Sequence, residues 1–458
     1  MLFSPLFERF ARRAPMVVMS RALFEHALAP AELDHVFCRE AQTQYQRSLL
    51  FSSLVDLMSV VVCKVQPSVN AAYRAVHDTL PVSLAALYEK LARVEPHVVQ
   101  SLVRHVATRL RAVIEALGSR HAAVVPGYRM KILDGNHQRA GQRRLAALWD
   151  SAAAPLPAQS LVVFEPELGL MTDLFPCEDA HAQERSLLSE VLCTVVAGDL
   201  WVADRNFCTF GFLTGIAERQ GFFAIRQHAG LRVESAGTLR RKGRCDTGDV
   251  FEQPVTLVGP KGERLEARRI VVRLATPTRE GTSELAIVTN LPAEVPAATV
   301  AAAYRKRWQL ERAFLHLTQH LNGEIDTLAY PRAALLGFAM AVNAANVLAS
   351  LGAALRAAHG DAASDEKISG YYLANEVRRY QDGLELATEE TDWQPLQTAT
   401  ACEVADWLRV WAGHARLAQY KKSPRGPKKT KPKRTAYAHT PQVSTARILI
   451  EKTGKLTP

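Results

Sequence analysis

A mixed α/β sheet domain, carrying a β-rich insertion and flanked by helical regions, is the fold class this sequence predicts. Three observations predict it. Residues 127–227 alternate short apolar runs with helical periodicity. Residues 228–295 read as strands separated by Gly, Pro and charged turns. Residues 1–120 and 330–420 place apolar residues three and four apart, with few Gly or Pro. At 458 residues, 48% apolar and 22% charged, the chain has the composition of a globular protein with two or more domains.

In chain order, helices are predicted over Arg47–Val65, Ser83–Val94 and His97–Leu117. Pro81 splits residues 68–94 and leaves room for a helix–turn–helix. YRMKILDGN (128–136) is an apolar run expected to end at Asp134 and the turn pair Gly135–Asn136. Residues 160–166 and 168–176 read as a hairpin, and residues 181–195 as a helix. DLWVADRNF (199–207) is a buried strand that runs out at Asp204, followed by a helix over Thr209–Gln220 and a strand over 222–227. Four strands, LRVES, QPVTLVG, RLEARRIVVRLA and ELAIVTNLP, then fill the β-rich block, which Pro296 closes. The expected division is 1–120, 121–227, 228–295, 296–360, 361–420 and a tail over 421–458 that holds a short helix at 444–451.

The net charge of +10 is concentrated. KKSPRGPKKTKPKR (421–434) holds Lys421, Lys422, Arg425, Lys428, Lys429, Lys431, Lys433 and Arg434 and no acid, so its partner is expected to be a polyanion, DNA above all. Seven scattered Cys form no CxxC pair and are expected to be reduced thiols of a cytoplasmic protein. Glu8, Arg9, Arg12 and Arg13 interrupt any leader-like start. Ala333–Leu355 is uncharged and long enough to span a bilayer, but its Ala content and Asn343, Asn346 and Ser350 predict a buried helix and no membrane.

The chemistry gathers in three places. Asp134 and Asp204 each stand where an apolar strand runs out. On a helix at 100° per residue, Tyr304, Arg307, Glu311 and Thr318 fall within about 60° of one another, beside the apolar stripe of Ala303, Leu310, Phe314, Leu317 and Leu321. Carboxylates at neighbouring strand ends, with a third on a helix packed against the sheet, suit two Mg²⁺ ions about 4 Å apart. Taken alone, the helix also fits an ordinary Arg307–Glu311 pair at i,i+4.

LDGN (133–136), ADRNF (203–207) and the spacing Tyr304-x2-Arg307-x3-Glu311 resemble the three catalytic motifs of DDE transposases, and in particular the insertion sequence four family of bacterial cut-and-paste elements. The resemblance runs over roughly residues 125–325, through SLVVFEPELGLMTDLFPCEDAHAQERSLL, GDLWVADRNFC and SELAIVTNLP. It implies an RNase H-like core interrupted by a β insertion, with Asp134, Asp204 and Glu311 ligating Mg²⁺ or Mn²⁺. It implies that Tyr304 and Arg307 contact DNA phosphate near the cut. The N-terminal helices would bind terminal inverted repeats, and the C-terminal helices would pair two complexes as a homodimer on DNA near the nucleoid. Two departures stand out: the family's Lys seven residues after the Glu is Thr318 here, and residues 221–298 hold no Trp. Phe251 is the one aromatic of the inserted part that could stack a base. The sequence leaves open an RNase H-like nuclease without strand transfer, and an impaired or domesticated copy acting as a DNA-binding protein or repressor.

Overall fold

The computed structural model describes residues 3–44, 48–80, 82–140, 154–278, 281–364, 367–423 and 442–453. The chain opens with α1 (Pro5–Arg13), α2 (Pro15–Ala27), α3 (Pro30–Glu40), α4 (Phe51–Val62), α5 (Val69–Val76), α6 (Leu84–Leu91) and α7 (Pro96–Leu117). Local sequence sets their ends. Proline at the start of α1, α2, α3 and α7 lacks an N–H that would have no helical partner there. Ser4, Ser68 and Ser83 cap α1, α5 and α6 through backbone N–H groups of Phe7, Ala71 and Ala86. Gly118, at φ 64°, stops α7 in the left-handed conformation that glycine adopts at little cost. The helices expected over 47–65 and 83–94 are shorter, as α4 and α6, and α5–α6 is the pair expected around Pro81; Arg47 and Pro81 lie outside the described residues.

Next come β1 (Arg129–Gln138), β2 (Ala154–Leu156), β3 (Ala158–Glu165), β4 (Leu170–Cys177), α8 (Leu188–Leu192), β5 (Asp199–Ala203), α9 (Phe210–Glu218) and β6 (Phe222–Arg226). The β-rich block supplies β7 (Arg232–Ser235), β8 (Arg240–Cys245), β9 (Gly248–Val258), β10 (Arg264–Leu274) and β11 (Glu284–Thr289). Helices α10 (Ala297–Arg305), α11 (Trp308–Gln319), α12 (Pro331–His359), α13 (Gly370–Ala387), α14 (Glu390–Thr398) and α15 (Ala401–Gly413) follow, then β12 (Gln442–Ser444) and α16 (Thr445–Thr453).

One mixed sheet runs β4-β3-β1-β5-β6-β11-β10-β9-β7, with β8 also paired to β9. β1, β5 and β6 are parallel, and β3 and β4 meander antiparallel from β1. The β-rich block extends the same sheet: β11 pairs antiparallel with β6 and continues it.

The period-two alternation of the strands divides the core between the two sheet faces. Met130, Ile132, Leu200, Val202 and Ala224 pack with the N-terminal helices and with α10, α11 and α12. Leu133, Trp201, Ala203, Phe223 and Ile225 pack on the other face with α8 and α9. α7 is clamped to the outer strands by Arg104–Asp173 at 2.7 Å and Arg111–Glu165 at 2.6 Å.

α12 is long and apolar enough to cross a membrane, but 78% of its most apolar window is buried inside the protein. Asn346 ties it to β4 by accepting from the Met171 N–H at 2.9 Å and donating to the Met171 carbonyl at 2.8 Å. The uncharged segment is thus a buried helix, as its Asn and Ser content predicts. All seven cysteines are free thiols.

Three local expectations are corrected. Gly135–Asn136 is not a turn: β1 runs on to Gln138 because β3 pairs with it through Gly135↔Leu161 and Asn136↔Ser160. The helix expected over 181–195 is a 3-10 turn, Glu184–Leu187, followed by the short α8. The helix through Tyr304 is two helices, tightened by three-residue hydrogen bonds from the N–H groups of Lys306 and Arg307 to Ala303 and Tyr304. Phe251 lies in β9 with its ring 4.4 Å from the Arg273 guanidinium.

Candidate active site

The parallel β1–β5 ladder ends at Leu133↔Ala203, so Asp134 and Asp204 are the next residues on adjacent strands. Each shares the parity of residues facing the α10–α11 side, Ile132 on β1 and Val202 on β5. Asp134 is held within β1, and its carboxylate accepts from the Gly135 N–H at 3.0 Å. Asp204 caps the 3-10 turn Arg205–Phe207 and accepts from the Asn206 N–H at 2.6 Å.

α10 and α11 bring the third acid to the same face. Ala303, Tyr304, Leu310 and Leu317 bury the inner side of this helix pair. Arg307, only 8% exposed, donates from Nη1 to Asp134 Oδ2 at 2.8 Å and from Nη2 to Glu311 Oε1 at 2.5 Å. Its guanidinium lies 5.3 Å from the ring of Trp308, which is itself exposed. Its Nε is buried with no hydrogen-bond partner.

The electrostatics are those of crowded acids around one cation. Burial, above all, pushes the Asp134 carboxyl up to about 7; Glu311 and Asp204 add repulsion, while Arg307 and the Gly135 N–H oppose it. Burial works against the Arg307 charge, and Asp134, Tyr304 and Glu311 more than offset it. Burial also raises the Tyr304 phenol, with Arg307 and Arg226 opposing, so the phenol is protonated near neutrality and can donate a hydrogen bond.

The structure thus brings Asp134, Arg307 and Glu311 into direct contact, with Tyr304 and Asp204 within electrostatic reach. Thr318 is not drawn in: it is exposed, and its hydroxyl donates to the Leu315 carbonyl at 3.0 Å within its own helix. Lys421 forms a β-bridge with Ile368, and the Lys422 N–H donates to the Lys367 carbonyl at 2.8 Å. Arg425, Lys428, Lys429, Lys431, Lys433 and Arg434 lie outside the described residues.

Among the described residues, no three His, Cys, Asp or Glu side chains are gathered closely enough to hold a metal ion. Arg307, paired with both Asp134 and Glu311, provides the positive charge instead. The donor chemistry nevertheless fits a hard divalent cation: three acidic side chains and no sulfur or imidazole.

Glu184 escaped the reading of the sequence. Its carboxylate accepts a short hydrogen bond from the Asn206 side-chain amide, two residues beyond Asp204. It also lies so close to Gly135 that a Cβ there would collide with its Oε1. Arg185 Nε adds a bond to the Asn206 carbonyl at 2.6 Å. The Glu184 turn therefore braces both acid-bearing segments. The signal was Gly135: glycine within a strand marks a close approach as readily as a turn. Gly135→Ala is expected to push the flexible Glu184 aside and cost about 1 kcal/mol, the worth of the lost hydrogen bond. Urea unfolding tests this as a double-mutant cycle, in which Gly135→Ala should be close to neutral once Glu184 is already Ala. An undiminished cost in that background would refute the contact.

Residues 161–347 match a family model described as "Transposase DDE domain". The matched segment contains Asp204, Tyr304, Arg307 and Glu311 and begins after Asp134. The chain is also 27% identical over 166 residues to a protein of Sinorhizobium fredii (strain NBRC 101917 / NGR234) named "Putative transposase y4zB"; the alignment covers 35% of this chain and 44% of that protein. The chain thus spans under half the length of this relative. From Leu161 to Val347 the chain is similar to a transposase DDE domain.

Proposed function

We propose that this chain is a DNA transposase of the DDE class, of the insertion sequence four group, which cuts DNA at terminal inverted repeats and joins the ends to a target. One observation carries the proposal: Asp134 and Asp204 stand side by side at the end of the parallel ladder, on the sheet face against which Glu311 and Arg307 pack. The order β4-β3-β1-β5-β6, with β1, β5 and β6 parallel, supports an RNase H-like core. β7 to β11 are its β insertion.

In this reading Asp134, Asp204 and Glu311 hold Mg²⁺, for which Mn²⁺ substitutes. Bound there, two such ions supply polarisation of the phosphate, activation of the attacking hydroxyl and stabilisation of the leaving oxygen. Arg307 exchanges its carboxylate partners for the phosphate, which its planar fork suits. Tyr304 keeps its proton and donates to a phosphate oxygen. Glu184 and Asn206 keep the two acid-bearing segments in register. The basic tail binds DNA, and two copies pair on the two element ends.

The test is cleavage and joining of the repeat ends that flank the reading frame, with Mg²⁺, Mn²⁺ or Ca²⁺. Cutting and joining with the first two ions supports the proposal. Cutting without joining would make the protein a nuclease, and sequence-specific binding without cutting would make it a DNA-binding protein.

Thr318→Lys is expected to place a cation on the strip of the helix that bears Glu311. One charge-assisted contact contributes about 1.5–3 kcal/mol, roughly ten- to a hundredfold in rate if it forms only in the transition state. Single-turnover cleavage, with nicking and second-strand cutting followed separately, should show one faster step and end binding within a few-fold of wild type. A folded Lys variant that cuts more slowly at every step would show that this position is not an empty cation site.

A further inference from the structure

Arg307 joins two acids that come from different elements, Asp134 from β1 and Glu311 from α11, at 2.8 and 2.5 Å. Among the described residues neither acid has another ion-pair partner. The guanidinium thus neutralises carboxylates that burial would otherwise destabilise. With Arg307 bonded to both, Asp134, Asp204 and Glu311 are not gathered closely enough to share one ion.

The same side chain is built to let go. Its Nε is buried with no hydrogen-bond partner, so the paired arrangement leaves one of its donors unsatisfied. The exposed Trp308 ring lies 5.3 Å from the guanidinium and offers it a second resting place toward solvent. Two oxygens of a phosphate match Nε and a terminal nitrogen together, which two carboxylates on separate elements do not. A buried ion pair is also close to break-even against solvation, so a better anion displaces it readily.

We propose that Arg307 is a gate that keeps a divalent ion out of the acidic site until DNA arrives. Bonded to Asp134 and Glu311, it stands in for the ion; a DNA phosphate draws it off and frees both carboxylates together. The inference rests on the transposase reading for its ion and its DNA, and adds the regulation of that site. In the free protein the closed form dominates, so affinity for the ion is reduced to the fraction that is open. DNA and ion then tighten one another by one and the same factor, typically about 5- to 150-fold for such a linkage. Away from DNA the site stays closed, and a protein able to cut phosphodiesters is loaded only on its substrate.

The experiment measures Mn²⁺ binding without DNA, from the electron paramagnetic resonance signal of free Mn²⁺. It compares wild type, Arg307→Gln, Arg307→Lys and the control Arg305→Gln. Arg305 is exposed and pairs with Asp246, so its loss changes the local charge equally without touching the acids. Arg307→Gln should bind Mn²⁺ about tenfold more tightly than wild type or better. Arg307→Lys, which keeps the charge but cannot span both acids, should fall between. Arg305→Gln should match wild type, and adding Asp204→Asn to Arg307→Gln should weaken the tight site. On the DNA side, fluorescence anisotropy with a repeat-end duplex compares EDTA with Ca²⁺, which supports binding more than cutting. Ca²⁺ should tighten duplex binding by wild type about tenfold more than by Arg307→Gln, because contact between ion and phosphate acts in both proteins and the gate in one.

Equal Mn²⁺ affinity of wild type and Arg307→Gln would overturn the proposal. So would an Arg307→Lys protein that binds Mn²⁺ no better than wild type, since charge alone would then account for the Gln variant; this comparison also decides the question if Arg307→Gln does not fold. An equal Ca²⁺ effect on duplex binding by wild type and Arg307→Gln would overturn it too. No Mn²⁺ binding by any of these proteins, with or without duplex, would overturn the metal assignment of the transposase reading and the gate with it. The expected affinities in a protein that never cuts repeat ends would overturn the transposase reading and leave the gate standing.

Discussion

Asp134→Asn, Asp204→Asn and Glu311→Gln are each expected to reduce strand cleavage by about 10³-fold or more, ~4 kcal/mol of barrier, with duplex binding within a few-fold of wild type. Each change keeps shape and removes a charge from the cluster on which the proposed chemistry depends. Near wild-type cleavage by any one variant would remove that residue from the site. Asp134→Asn has a second, independent signature. The folded-state pKa of Asp134, about 7, lies above the ordinary aspartate value, so the native state holds this proton where the unfolded chain has lost it. Its contribution is fully present below about pH 4 and is lost as pH rises through about 7. In EDTA, the melting temperature of the Asn variant relative to wild type should therefore rise between pH 5 and pH 8. A difference that is flat or falls with pH would mean that Asp134 is not desolvated as the structure shows.

Arg307→Gln carries the next largest effect. The guanidinium bonds Asp134 at 2.8 Å and Glu311 at 2.5 Å while almost fully buried. Removing it leaves a buried carboxylate without its cation. Breaking such a pair costs about 3–5 kcal/mol when both partners are buried, and Glu311 is about a third exposed, so a loss of about 2–4 kcal/mol is expected at pH 8. At pH 5 the loss should be smaller, because Asp134 then binds a proton in place of the ion pair. Arg307→Lys should fall between, since it keeps the charge but loses the fork. Urea unfolding in EDTA at the two pH values measures this; equal stability of Arg307→Gln and wild type at both would sink it. Because Arg307 occupies the acids' positive partnership, Mg²⁺ should raise the melting temperature of the Gln variant more than that of wild type.

Much of this site was legible in the sequence because short periods carry it. Met130, Ile132 and Asp134 share one parity, as do Leu200, Val202 and Asp204, so strand alternation alone sends both acids to one face. The three- and four-residue spacing of Tyr304, Arg307 and Glu311 likewise survives the tightening between α10 and α11, because the intervening residues keep right-handed helical angles.

What stayed hidden depends on distant partners. Gly135–Asn136 has the composition of a turn, yet backbone pairing to β3 carries β1 straight through it. The β-rich block shows its strands in its own pattern, but nothing local says that β11 will add to β6 and extend the sheet. Glu184 has no motif; its role exists only because its turn packs on Gly135 and Asn206.

By itself, then, the sequence determined most of the strands and helices and the sheet face that Asp134 and Asp204 take, because those follow from repeats of two and 3.6 residues along the chain. The tertiary structure alone decided that Arg307 bonds Asp134, 173 residues away in the chain, that Thr318 stays outside the cluster, and that Lys421 pairs with Ile368. These are contacts between elements, set by packing and by the cost of leaving a buried charge without a partner, and no local period records them.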